Sequence, residues 1–277
     1  MAADPEDLKH FAGLLKAGSG FVLTRETVHL VEGRLAPLAR REGYGTVDAL
    51  LAALRKGADA RLKDAAVGAM ASTETFFFRD LAVFERLRDH VLPALAQARP
   101  GGRVRAWSAG CATGQEAWSL AIAGEEAAAN GAKLSLEVTG TDLSRACLEK
   151  AEAGLYTQFE VQRGLPARLL VRWFDKVDEM WRVSSRLRGD VRFRRVNLVE
   201  DFAGPQRFDL ILCRNVLDGF DAETRATVLR RLAGRLADDG VLVLGAGESP
   251  RELGQTFAAL PNARGVFVKL SAARKAA

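Results

Sequence analysis

The sequence predicts an α/β protein: a doubly wound, mostly parallel sheet preceded by an all-helical N-terminal domain and interrupted by a small inserted β-hairpin. Three observations carry this. Up to about residue 70 apolar residues recur at spacings of three and four, as in ETVHLVEGRLAPLARREG and TVDALLAALRKG, the period of helices with one buried face. From about residue 100 short β-rich runs alternate with helical stretches, which implies right-handed crossovers between parallel strands. Between Tyr156 and Val191 the alternation breaks at two aromatic-rich runs around an acidic tip, Lys176-Val177-Asp178-Glu179, the pattern of a hairpin.

The elements follow in order. Glycines at 18, 20, 43, 45 and 57 punctuate the early helices, and Asp48, with Thr46 before it, marks a helix start. VRAWSAG, LSLEVTGTDL, VRFRRVNL, RFDLILCRNV and GVLVLGAG read as strands, and 115–129, 144–152 and 222–237 as helices. Leu210-Ile211-Leu212-Cys213 and Val241-Leu242-Val243-Leu244 are continuously apolar, as expected of strands covered on both faces. The last run, GVFVKL, is expected at the sheet edge with antiparallel pairing open to it. The division expected is 1–72 for the helical domain and 73–277 for the α/β domain, with the insertion at about 163–195.

Composition narrows the functional classes. The 277 residues are 48% hydrophobic and 27% charged, the balance of a soluble globular protein. No apolar run approaches the roughly 20 residues of a membrane span, and the N-terminus lacks the layout of a secretory signal; no membrane insertion is expected. Cys111, Cys147 and Cys213 are odd in number and widely spaced, which fits neither a disulfide framework nor a metal site and suits the cytoplasm. The net charge of +5 is uneven: 163–195 holds ten Arg or Lys against four acids, and a second basic cluster spans Arg34 to Lys63. Such surfaces attract acidic partners, protein or nucleic acid, unless they are merely solvated. The aromatic–arginine interleaving of base-stacking proteins is not evident, and no nucleic acid is expected.

Open parallel sheets bind ligands beyond the carboxyl ends of their strands, where the chemistry-bearing residues fall. Gly110 and Gly114 end the first strand and allow close backbone approach. The three-glycine dinucleotide signature is missing. Asp142 ends the second strand, where a carboxylate can take both ribose hydroxyls; Asn197-Leu198 ends the third and Arg214-Asn215 the fourth. The loop has no phosphate-binding Lys, and Glu116 at its far lip repels a pyrophosphate and welcomes a cation. S-adenosylmethionine, with its α-ammonium and sulfonium, fits that lip better than a phosphorylated cofactor. Asp142 also suits a cap for the helix near Ser144, Glu116 a first-turn acid favoured by the helix dipole, and Asn197 an ordinary turn. Cys111 and Cys213 read as packing residues, and His10, His29 and His90 lie outside the constellation. Ahead of the sheet, Phe76-Phe77-Phe78 suggest packing at a domain seam, and Arg79 in that aromatic niche suits a carboxylate.

Taken in order, STETFFFRD, WSAGCATGQEAWSLA, TDL, NL and FDLILCRNV resemble the motifs of the chemotaxis receptor methyltransferases, the CheR family, along nearly the whole chain. The resemblance implies a Rossmann-like class I methyltransferase that moves a methyl group from S-adenosylmethionine to glutamates on the cytoplasmic helices of methyl-accepting chemotaxis receptors, leaving S-adenosylhomocysteine. By the same resemblance Thr73, Thr75 and Arg79 line the cofactor site from the linker, with Arg79 also steering the substrate carboxylate. Glu116 matches the acid holding the methionine portion and Asp142 the ribose acid. Asn197, Leu198, Arg214 and Asn215 match positions around the adenosine and methionine ends. No metal or general base is expected, because a carboxylate is already a nucleophile at neutral pH.

The chain departs from the family pattern at several points. Thr73 stands for the usual Asn, Gln115 for a frequent Glu, and Gly219 for a Tyr; Ala246-Gly247-Glu248 replaces His-Ser-Glu. Loss of the ring at 219 is expected to slow transfer or redirect it. The hairpin tip is short, so docking on a receptor's C-terminal pentapeptide is not expected. The alternatives are a methyltransferase of the same fold acting on RNA or a small metabolite, and a cofactor-binding regulator that has lost transfer.

Overall fold

The computed structural model describes residues 4–71, 74–202 and 206–270. Four helices open the chain: α1 (Pro5–Ser19), α2 (Leu30–Arg41), α3 (Val47–Arg55) and α4 (Ala60–Ala69). The starts of α1, α3 and α4 are fixed by short polar side chains. Asp4 accepts from the Glu6 N–H, Thr46 from Ala49 and Asp59 from Leu62, each satisfying a donor the helix itself leaves open. Phe11, Leu15, Val31, Leu35, Leu50, Leu51 and Leu54 meet in one buried core.

After α5 (Leu81–Arg86) and α6 (Leu92–Gln97), joined by a π-helical turn at Leu87–Val91, the large sheet begins. It is built from β1 (Arg103–Ala109), α7 (Gln115–Ala129), β2 (Ser135–Asp142) and α8 (Arg145–Ala153). An excursion follows through β3 (Leu155–Thr157), α9 (Gln158–Gln162), α10 (Ala167–Trp173), β4 (Phe174–Val177), β5 (Met180–Val183) and α11 (Ser185–Arg188). The chain then returns as β6 (Val191–Arg195), β7 (Phe208–Cys213), α12 (Ala222–Arg235), β8 (Leu236–Leu244), β9 (Phe257–Ala259) and β10 (Val266–Lys269).

The seven strands lie in the order β6-β2-β1-β7-β8-β10-β9. The first five are parallel, and β10 runs antiparallel to β8. The strand order reverses beside β1, which places the switch point between β1 and β7. β10 is not at the edge: β9, too short to show an alternating pattern, pairs outside it. The unbroken apolar runs are explained by two cores. Leu210, Leu212, Val241 and Val243 pack into the cluster on one face, Ile211, Cys213, Leu242 and Leu244 into that on the other, so successive residues serve opposite layers.

The excursion is a three-stranded antiparallel sheet in the order β3-β5-β4. β4 and β5 form the hairpin read at Lys176–Glu179, turning at Asp178-Glu179. The small sheet also recruits Leu155–Thr157, a strand of three residues carrying no periodic signal, and Val191–Arg195 belongs to the large sheet. Among the described residues no helix is long and apolar enough to cross a membrane.

Candidate active site

The carboxyl ends of β1, β2, β6 and β7 open into a cavity between the sheet and the helical part. Gly110 and Gly114 shape its floor. Both have positive φ (78° and 92°), and a Cβ on Gly110 would sit 2.6 Å from Val216 Cγ2, on Gly114 2.7 Å from the Ala151 Cβ. Only glycine lets the loop turn this closely under its neighbours. The loop is also tied from outside, by the Tyr156 hydroxyl donating to the Thr113 carbonyl at 2.7 Å.

Asp142 closes β2 and is 6% exposed. Its Oδ2 accepts from the Ala112 N–H and its Oδ1 from the Ser144 N–H, both at 2.9 Å. The helix α8 is capped by Ser144, whose hydroxyl accepts from the Cys147 N–H. Asp142 therefore holds the glycine loop against the start of α8 and keeps a face toward the cavity. Burial pushes its carboxyl above the usual carboxylate range, with the backbone N–H groups pulling against it.

Glu116, in the first turn of α7, accepts from the Ser108 hydroxyl at 2.8 Å and from Arg214 Nη1 at 3.2 Å. The Arg214 side chain is 1% exposed, and its Nη2 pairs with Asp80. Two carboxylates thus share one guanidinium, and the charge of Arg79 also reaches Glu116. Burial raises the Glu116 carboxyl, and Arg214 and Ser108 lower it. Arg79 is half-buried, donates to the Glu74 carbonyl at 3.2 Å and stands 5.6 Å from the Phe76 ring centre. It has no carboxylate partner among the described residues. Phe77 and Phe78 are buried, but Phe76 is exposed enough to receive Arg163 as well, at 4.5 Å.

Asn197 donates to the Gly18 carbonyl at 2.8 Å, reaching the end of α1, while Leu198 packs against the sheet. Asn215 sits at φ 59°, held by a buried acid from beyond β8. Glu248 Oε2 accepts from the Asn215 and Gly245 N–H groups and Oε1 from Leu217. Glu248→Gln places an amide donor against one of those donors, and we expect stability to fall by about 1–3 kcal/mol. Thermal melting checks this; an unchanged midpoint would exclude the anchoring role.

Thr75, Arg79, Gly110, Glu116, Asp142, Asn197, Leu198, Arg214 and Asn215 all line the one cavity; Thr73 lies outside the described residues. Sequence reasoning missed Asp80 and Ser108, the partners of Arg214 and Glu116. Asp80 stood inside the FFRD motif, and Ser108 was a polar interruption of an apolar strand. It also missed Ser19, Phe21, Met70 and Ala71, which only the packing of the helical part brings to the site.

The donor set fits S-adenosylmethionine. Among the described residues Asn215 Oδ1 is a buried acceptor with no donor and Arg214 Nε a buried donor with no acceptor, as an amino-acid zwitterion requires at that end. Leu143, Val196, Leu198 and Val216 supply apolar surface for a base, with Asp142 between. Residues 73–266 match the family described as CheR methyltransferase, SAM binding domain. The chain belongs to the CheR family.

Among its relatives, chemotaxis protein methyltransferase 1 of Pseudomonas aeruginosa is 37% identical over 257 residues, 91% of this chain and 93% of its own length. Chemotaxis protein methyltransferase Cher2 of Pseudomonas putida is 34% identical, covering 88% and 90%. The chemotaxis protein methyltransferase of Vibrio parahaemolyticus is 35% identical over 269 residues, 96% and 97%. As a CheR-family chain it is a methyltransferase that uses S-adenosylmethionine. Cys111, Cys147 and Cys213 are buried, and burial pushes all three thiols up. Among the described residues no three His, Cys, Asp or Glu side chains gather as a metal site.

Proposed function

We propose that this CheR-family protein methylates glutamate side chains on the cytoplasmic helices of chemoreceptors, giving glutamyl methyl esters. The observation that carries the reading is Arg79: a guanidinium at the cavity wall, beside an aromatic ring and without a carboxylate partner among the described residues. A glutamate entering there meets a planar donor fork suited to carboxylates.

S-adenosylmethionine supplies an activated methyl group on a sulfonium. Glu116, Arg214 and Asn215 hold the amino-acid end, Asp142 the ribose, and the apolar stretch from Leu143 to Leu198 the base. The acceptor carboxylate is nucleophilic without help from a base. Catalysis then rests on alignment and on stripping water from the carboxylate, with Arg79 fixing its direction. The basic insertion and the basic early helices draw acidic receptor helices toward the cavity. The turn at Asp178-Glu179 is short, which supports engagement without a pentapeptide tether. The reading places the protein in the cytoplasm with its helical domain at 1–72 and its methyltransferase domain at 73–277.

Incubation with tritiated S-adenosylmethionine and receptor-rich membranes is expected to label the receptor and to release methanol on base treatment. Label in RNA instead, or cofactor binding without any transfer, would overturn the proposal. Arg79→Ala is expected to slow this transfer by about 10- to 100-fold, the worth of one charge-assisted hydrogen bond, with S-adenosylhomocysteine affinity nearer to wild type. Near-normal turnover would remove Arg79 from the acceptor site.

A further inference from the structure

The end of α1 is fastened to the catalytic half at several points. Asn197 binds the Gly18 carbonyl, Lys16 pairs with Asp221 at 2.8 Å, and the Val22 N–H donates to the Gly219 carbonyl at 2.9 Å. Phe21 and Phe220 form an isolated antiparallel bridge. The turn that makes this possible is tight. Gly20 has φ 75°, and a Cβ there would lie 2.5 Å from Val199 Cγ1. Ser19 Oγ donates to the Leu15 carbonyl and accepts from the Phe21 N–H, so the direction in which residue 21 leaves the helix is set.

The Phe21 side chain lines the cofactor cavity and packs on the helical core. Its ring lies directly over Gly219: a Cβ on Gly219 would stand 2.7 Å from Phe21 Cδ2 and 2.9 Å from Cε2. Real Cβ atoms do not approach a ring so closely, so a side chain at 219 would have to displace the Phe21 ring from its present place. The turn at Leu217–Gly219 carries no ring, Phe220 just beyond it lines the cavity, and the helical part lays a further ring, Phe21, over Gly219 itself.

We propose that Phe21 is the aromatic wall of the S-adenosylmethionine cleft and that positions 21 and 219 share a single ring-sized space. The bare Gly219 is then a complement to Phe21, and the ring at this point carries no hydroxyl. The proposal depends on the cavity being the cofactor site and not on the identity of the methyl acceptor.

The test is calorimetric titration with S-adenosylhomocysteine, which needs no acceptor, beside a thermal melt of each ligand-free variant. Phe21→Leu keeps apolar volume for the helical core but removes the ring. It is expected to weaken binding about tenfold with little change in melting temperature. Gly219→Tyr is expected to weaken binding by at least as much, because two rings cannot fit. Phe21→Ala/Gly219→Tyr, with one ring again, is expected to return affinity to within about threefold of wild type. Wild-type affinity in Phe21→Leu would overturn the wall, and a double variant as weak as the product of the Phe21→Ala and Gly219→Tyr effects would overturn the shared space. Either failure leaves receptor methylation standing; restored binding in a protein that labels only RNA would sink that reading and spare this one.

Discussion

Arg214→Ala is expected to lower the free energy of unfolding by about 3–5 kcal/mol, the usual consequence of leaving a buried charge without its partner. The two carboxylates it serves are not equivalent. Asp80 is 46% exposed at the side chain and can turn to water, whereas Glu116 is 12% exposed and keeps only the Ser108 hydroxyl. The loss is therefore dominated by Glu116, and Asp80→Asn is expected to be worth no more than about 1 kcal/mol. A pH signature separates the two. With Arg214 gone, only the Ser108 hydroxyl and the charge of Arg79 still oppose burial at Glu116, and its folded-state pKa rises further above the unfolded value. The folded state then holds a proton the unfolded state releases, so stability falls as pH rises through that interval and is regained on acidification. Urea unfolding at neutral and at mildly acid pH measures this. A loss of the same size at both would show that Arg214 acts by packing rather than by charge.

Asp142→Ala is expected to weaken S-adenosylhomocysteine binding by about 100-fold or more, about 3 kcal/mol, if its carboxylate takes both ribose hydroxyls. The substitution also frees the Ala112 and Ser144 N–H groups, so the glycine loop loses its tie to α8 at the same time. Asp142→Asn separates the contributions, since it keeps one acceptor and most of the shape. The pH dependence is again definite in sign. Burial raises the Asp142 carboxyl, so cofactor affinity is expected to decline on acidification at a higher pH than for an ordinary carboxylate, by one proton. In Asp142→Asn the share of that decline due to Asp142 should be lost, leaving only the share due to Glu116, whose carboxyl burial also raises. Calorimetry across the pH range decides it, and a parallel decline in both proteins would assign the titration elsewhere.

The parallel sheet was readable because β7 and the second half of β8 are buried on both faces and carry unbroken apolar runs, and because full-length helices separate β1 from β2 and β7 from β8. β3 and β9 were not readable, since three residues cannot display a period and their pairing is decided by partners far away in sequence. At the site, residues ending strands were legible from topology alone. Asp80 was not, because its pairing with Arg214 spans 134 positions and depends on a left-handed backbone at φ 61°. Phe21 was invisible for a similar reason. Its place follows from how α1 ends and where that end docks, neither of which is written in local spacing.

The match to the SAM-binding family spans 73–266, yet Ser19, Phe21, Met70 and Ala71 are walls of the cavity. The boundary that defines the recognisable module runs through the ligand's enclosure. A chimera that grafts residues 73–277 onto another relative's leader inherits a pocket with one side made for a different ring. On the shared-space proposal, changes at positions 21 and 219 are expected to be tolerated together more readily than singly.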